Sequence, residues 1–292
     1  MKKLPLLLCL LLSLSACGGG GGNRADIFRD LRDIQLTVFV DASLSDAFGA
    51  VAARYREDYP EIRLNAQFDT SDALLTRVMD GEPCDIFLSA AKETMDALGD
   101  FGYLLPDTRA DFLENRLVLA VPPGNPRGIR NFAHMASLIR QGGALFAAAN
   151  PGEPLGVYTR RLFAYHFLGE TALSRSVTYA PDTRETVARI RDDMADGGIL
   201  YRTDADGLAI VDTADASMCG AIVYSAAVLS GSARPLAATA FLDFLKGPDA
   251  GIIFTRAGFT TLSPQSDDWT GPYWEALTPG DDSGELVQEP MT

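Results

Sequence analysis

Ser43 and Ser71 each follow a β-rich run and precede a helical pattern, and Leu155 and Thr183 occupy equivalent strand-to-helix junctions further along the chain. The first turn of a helix leaves N–H groups without intrahelical acceptors and carries a partial positive charge. Several such turns aimed at one point hold an anion without any cationic side chain, and serine hydroxyls add donors. Taken singly, each serine reads as a helix cap. Taken together, the repeated pattern reads as a binding site for a small anion. Catalytic chemistry is less well provided for. Carboxylates are plentiful (Asp41, Asp69, Asp85, Asp182, Asp204), and Asp41 with Asp69 is the pair that would serve as general acid and base. No His or Cys stands near a candidate nucleophile, and Ser43 has no evident base, so the chain is read as a binding protein and not an enzyme. Two isolated histidines, His134 and His166, with Cys84 and Cys219 give no metal-ligand spacing. No cofactor is expected.

The elements that would position these junctions alternate. Residues 34–40 (IQLTVFV) form a β-rich strand. Over residues 44–59, Leu44, Phe48, Val51, Ala52 and Tyr55 recur at helical spacing. A strand over 62–68, a helix over 72–79, a strand over 84–89 and a helix over 92–98 follow. This rhythm predicts an α/β fold with a mainly parallel, doubly wound sheet. Residues 115–121 make an apolar strand that ends in Pro122-Pro123-Gly124-Asn125-Pro126, punctuation that predicts a hinge into a second domain. A second α/β series has strands at 144–149, 177–180 and 198–201 and helices at 155–168 and 184–195. The apolar run 219–224 returns the chain to the first domain, which helices at 236–245 and 249–257 cap. Residues 33–119 with 219–262 are thus read as lobe I and 120–218 as lobe II, two doubly wound domains joined by two crossings. Ligands of such sheets sit beyond the carboxyl ends of the strands, which is where the four junctions lie.

The chain has 292 residues, is 47% hydrophobic and carries a formal net charge of -14. So acidic a surface argues against nucleic acid as a partner, because phosphate backbones need clustered Lys and Arg. It does not exclude a small anion, which feels mainly its own pocket. Residues 1–16 read as a signal peptide: Lys2 and Lys3 precede an apolar run too short to span a bilayer. Leu14-Ser15-Ala16-Cys17 resembles the lipobox of bacterial lipoproteins, so Cys17 is expected to carry lipid and to anchor the protein on the outer side of a membrane. Residues 17–32 form a glycine-rich tether, and residues 263–292 an acidic C-terminal tail. Cys9 leaves with the signal, which leaves Cys84 and Cys219. An exported compartment permits a disulfide; the sequence leaves open a Cys84–Cys219 bridge or two buried thiols.

Over residues 34–259 the chain resembles the periplasmic molybdate-binding protein family of ABC importers. Thr37-Val38-Phe39-Val40-Asp41-Ala42-Ser43-Leu44 is similar to the family's opening strand and serine, and Phe68-Asp69-Thr70-Ser71-Asp72-Ala73-Leu74 to its Phe-x-Ser-Ser-x-x-Leu element. Gly81-Glu82-Pro83-Cys84-Asp85-Ile86-Phe87-Leu88-Ser89-Ala90 follows Gly-x-Pro-Ala-Asp-Leu-Phe-Ile-Ser-Ala. Asn150-Pro151 with Pro154-Leu155-Gly156-Val157-Tyr158, then Gly198-Ile199-Leu200-Tyr201-Arg202-Thr203-Asp204-Ala205, and finally Gly258-Phe259, continue the match in order. The resemblance implies a two-lobed, type II periplasmic-binding-protein fold and a monomer. It implies a periplasmic or otherwise extracytoplasmic location, and a permease that receives molybdate or tungstate. It also implies a ligand shell: hydroxyl and N–H groups of Ser43 and Ser71 from one lobe, backbone N–H groups of Leu155 and Thr183 from the other, and the hydroxyl of Tyr201. Molybdenum enters only inside its oxyanion, with no protein atom bound to the metal.

Three carboxylates depart from that pattern. Asp41 stands where the family has a small apolar residue, and Asp69 and Asp72 flank Ser71. Facing the pocket they would repel an anion; the expectation is that they point away or bind helix N-terminal amides, with Arg184 and Arg202 placed to compensate. The stretch between Tyr201 and Cys219 is shorter than in the family. The alternatives are a receptor of the same fold for sulfate or a small organic anion, an enzyme using Asp41 and Asp69, and an adhesion or scaffold lipoprotein without a donor-lined cleft.

Overall fold

The computed structural model describes residues 34–262. The expectations for the signal peptide, Cys17, the tether and the acidic tail fall outside those residues. In chain order the elements are β1 (Ile34–Asp41), a 3-10 turn (Ala42–Leu44), α1 (Ser45–Asp58), β2 (Ile62–Asp69), α2 (Ser71–Met79), β3 (Ile86–Ser89), α3 (Lys92–Asp100) and β4 (Ala110–Asn115). Then come β5 (Leu117–Val121), α4 (Phe132–Gln141), β6 (Phe146–Ala149), α5 (Pro154–Tyr165), α6 (Glu170–Ser176), β7 (Val177–Ala180), α7 (Thr183–Arg191) and β8 (Gly197–Tyr201). A second 3-10 turn (Arg202–Asp204), β9 (Ala209–Thr213), α8 (Ala216–Cys219), β10 (Ile222–Val228), α9 (Pro235–Lys246), α10 (Pro248–Arg256) and β11 (Thr260–Thr261) complete the order.

Two sheets define two lobes, one ordered β11-β4-β10-β3-β1-β2 and the other β7-β6-β8-β5-β9. The parallel halves are those the sequence predicts: β1 lies between β2 and β3, and β6 between β7 and β8, all parallel. Their residues are apolar on both faces, as strands covered by helices on both sides must be; Leu36, Val38, Phe39 and Val40 of β1 are all fully buried. The other halves correct the expectation of mainly parallel sheets. β10 runs antiparallel to β3 and β4, and β5 antiparallel to β8 and β9. The reason is connectivity: β4 and β5 carry the chain out of lobe I, while β9 and β10 carry it back, so outgoing and returning strands pair with opposite direction.

The first crossing is Arg116 alone, between the end of β4 and the start of β5. Leu117, Val118 and Leu119 therefore belong to the second sheet, and the boundary expected after residue 119 moves back to Arg116. The Pro122–Pro126 run is not the hinge. It makes a turn at the far end of β5, closed by the Asn125 N–H donating to the Pro122 carbonyl at 2.9 Å. The returning crossing passes through α8, which packs against α5, and turns at Gly220, whose φ of +93° suits glycine. β4, β9, β11, α4, α6 and α8 were not predicted from the sequence.

The Cys84–Cys219 bridge does not form; both are buried free thiols. Cys84 lies in the smaller core with Phe39, Leu74, Phe87 and Met95, while Cys219 ends α8 in the other core. Burial pushes the Cys84 thiol up to about 12, so it stays protonated and unreactive, with its S–H donating to the Ile86 carbonyl.

Candidate functional site

β1 and β2 are neighbours in register, with Asp41 opposite Asp69, so the turn after β1 and the helix after β2 leave the same edge of the sheet. That brings Ser43 and Ser71 together. They meet on the carboxylate of Asp41. Its Oδ1 accepts from the Ser43 N–H at 3.0 Å and the Ser43 hydroxyl at 2.6 Å. Its Oδ2 accepts from the Ser71 N–H at 3.1 Å and the Ser71 hydroxyl at 2.5 Å. All four donors are uncharged. Ser71 is buried, at 5% exposure, whereas Ser43 is open to solvent.

Asp41 does not point away: it binds helix-start amides, and they are the amides of the candidate site. The other two behave as predicted. Asp69 accepts from the N–H of Thr70, and Asp72 turns to the hydroxyl of Thr94 on α3. Asp41 and Asp69 have separate partners and do not form a hydrogen-bonded acid/base pair. Two more carboxylates have framework roles. Asp85 accepts from the Thr37 N–H and the Ser232 hydroxyl, fixing β3 to β1, and Asp182 caps α7 through the Glu185 N–H. Arg184 and Arg202 are exposed, and neither donates to Asp41.

In lobe II, β6 and β7 pair in register with Ala149 opposite Ala180, so α5 and α7 start at one edge. Pro154 opens α5 and has no N–H, and the Glu153 side chain makes no capping bond. Leu155, itself buried, therefore carries the first amide of that helix. Asp182 caps the Glu185 amide and leaves the Thr183 amide at the helix start. The two lobes face each other across a cavity of about 360 Å³. Ala90, Lys92 and Glu93 line one wall, Pro154, Tyr158 and Arg161 the other, and Gly220 and Ala221 the floor. The cavity adjoins the serines, because the Ala90 N–H donates to the Ser71 hydroxyl at 3.1 Å.

Tyr201 ends β8 and sits close enough to Tyr224, Tyr158, Asp204 and Asp41 for their charges to act on it; burial first, then those neighbours, raise its pKa, so the hydroxyl keeps its proton. Burial raises Asp204 to about 6. Two residues were missed by sequence reasoning. Tyr224, 2% exposed on β10, lies 3.2 Å from the Ser43 hydroxyl, and burial holds its pKa up at about 12. It also hydrogen-bonds Asn115, whose amide donates to the Thr203 hydroxyl at 3.1 Å and accepts the N–H of Arg116. A chain of hydrogen bonds thus runs from Ser43 through the hinge to lobe II. The signal was present in the sequence: a Tyr inside the apolar run 219–224 needs a buried partner for its hydroxyl.

Among the described residues, no cluster of His, Cys, Asp and Glu is arranged to hold a metal ion, and no helix is long and apolar enough to cross a membrane. A family model described as bacterial extracellular solute-binding protein matches residues 36–260. The molybdate-binding protein ModA of Escherichia coli (strain K12) is 31% identical over 233 residues, covering 77% of this chain and 89% of ModA. Among solved structures, an ABC transporter substrate-binding domain from Clostridium difficile superposes with a TM-score of 0.72 at 24% identity, covering 78% of this chain and 99% of that one. The sulfate-binding protein SubI of Mycobacterium tuberculosis H37Rv superposes with a TM-score of 0.58 at 19% identity, covering 79% and 88%.

Proposed function

This chain belongs to the bacterial extracellular solute-binding protein family, and from that premise we propose that it captures molybdate or tungstate between its lobes and delivers it to an ABC permease. One observation carries the reading: the hydroxyls and amides of Ser43 and Ser71 converge on a single carboxylate, so this point already accepts an anion on neutral donors alone. A tetrahedral dianion without protons asks for the same set. The first-turn amides of Leu155 and Thr183 and the hydroxyl of Tyr201 complete the shell from lobe II, and closure of the lobes brings them to the ion. Hydrogen bonds to a charged group are worth about 1.5–3 kcal/mol each, net of the bonds to water that they replace, so several converging on one ion favour binding. Nothing in this scheme bonds to molybdenum, and no cofactor or catalytic step enters it. A monomer held to the membrane through lipid on Cys17 completes the reading.

Sulfate is the second reading, favoured by the likeness to SubI. Ion size separates the two. Molybdate should raise the melting temperature well above an equal concentration of sulfate, since a ligand bound to the native state stabilises it. By calorimetry, Ser43→Ala and Ser71→Ala should each weaken molybdate binding about tenfold or more, from one lost bond to charge. Sulfate stabilising as much as molybdate would favour the second reading, and unchanged affinity in both variants would remove the site.

A further inference from the structure

The four donors assigned to the oxyanion are already in use. A serine hydroxyl has one proton, and those of Ser43 and Ser71 both point at Asp41. The Ser71 oxygen in turn accepts from the Ala90 N–H, so that hydroxyl has no second proton to offer. The Ser43 hydroxyl gives its single proton to Asp41, so at its 3.2 Å contact with Tyr224 it accepts from the tyrosine hydroxyl. Both amides, of Ser43 and of Ser71, are taken by the same two carboxylate oxygens. A ligand oxygen and Asp41 therefore cannot both be bound here. A fully deprotonated oxyanion has no proton to share with a carboxylate, and like charges at contact distance repel.

We propose that Asp41 is an intramolecular anion that fills the lobe I half of the site in the ligand-free protein and must release both serines before an external oxyanion can bind. It is then a specificity-determining residue, setting how strongly an incoming ion must compete. This rests on the oxyanion reading of Ser43 and Ser71. The position favours such a role. Asp41 is the last residue of β1 and is half-buried, so its side chain is held by the four hydrogen bonds and not by surrounding core. The same bonds close the 3-10 turn and tie it to the start of α2, so that the carboxylate also holds the two serines together.

The two roles pull a substitution in opposite directions, and that makes the test selective. Asp41→Ala and Asp41→Asn are titrated by calorimetry with sodium molybdate and sodium sulfate, and melted without ligand. The ligand-free melting temperature should fall in Asp41→Ala, because the serine donors lose their acceptor. Affinity for molybdate should rise about tenfold or more in both variants. Should the parent bind molybdate while both variants bind it equally or more weakly, Asp41 is a partner of the ligand or a bystander, and the competitor role is wrong while the site stands. Should neither parent nor variants bind either ion, the oxyanion reading itself falls. Asp41→Asn keeps the size and part of the hydrogen bonding, so it answers the question even where Asp41→Ala folds poorly.

Discussion

A carboxyl group reports its surroundings through the proton it keeps. Asp204 is half-buried near Tyr201 and Tyr224, and this partial loss of water raises it from 3.8 to about 6. The charged form is the costly one in the fold. Its folded value lies above its unfolded one, so its contribution to stability is full below about pH 4 and is lost as pH rises through about 6. Asp204→Asn removes that loss. The melting temperature of the variant relative to the parent should therefore climb between pH 4.5 and pH 7, and a difference that stays flat across that range would show that Asp204 ionises freely. The same logic of neighbours explains why three added carboxylates do not act alike. Asp69 and Asp72 find local donors at Thr70 and Thr94, whereas the donors nearest Asp41 are those of the candidate site.

At the level of elements, the site depends on how closely the chain can fold over a helix start. The turn that leads into α5 lies against the backbone at Gly156. A Cβ there would sit 1.9 Å from the Asn150 carbonyl oxygen and 2.6 Å from its carbon, so backbone must move. That contact sets the direction of the first turn, and with it the Leu155 amide. Gly156→Ala should cost about 2 kcal/mol or more, lowering the melting temperature by roughly 5 °C. Gly231→Ala, at an exposed turn where a Cβ meets nothing within 4 Å, is the matched control and should melt like the parent. Equal melting of the two variants would mean that the turn yields easily. Gly198 shows the same principle on β8, where a Cβ would press on the Ala147 carbonyl and Ile190 of α7. Both glycines were visible as motif letters, but only the packing shows what each one makes room for.

For the whole molecule, the two crossings are also the route between lobes. The chain Ser43–Tyr224–Asn115–Thr203 spans them, so the lobe I serines and the turn after Tyr201 share one hydrogen-bonded frame. Hinging of two lobes about short crossings is a known mode of closure, and the cavity between Lys92 and Arg161 is where this protein has room to close. The net charge of -14 means that the overall field does not steer an anion into that cavity, so the proposed capture rests on local donors. On the proposed reading, lipid on Cys17 keeps the protein near its membrane. Cys17→Ser should move it from the membrane fraction to the soluble fraction on cell fractionation, and continued membrane association would remove the lipid anchor.

The parallel strands, the helices after them and the serine junctions were legible because they rest on local periodicity and on donors fixed by chain position. Ile34 to Val40 has to be a strand, and a helix that follows it has to begin with unpaired amides. The sequence also carried the family likeness through ordered motifs. It could not place the hinge, because Asn115 to Val121 reads as one apolar run and only pairing with two different sheets divides it at Arg116. Nor could it decide the cysteines, which chain distance does not separate but two cores do. The direction of Asp41 was the largest such decision. Adjacent strands in register bring two helix starts, 28 residues apart in sequence, within reach of one carboxylate, and no local pattern records which of several acids will stand between them.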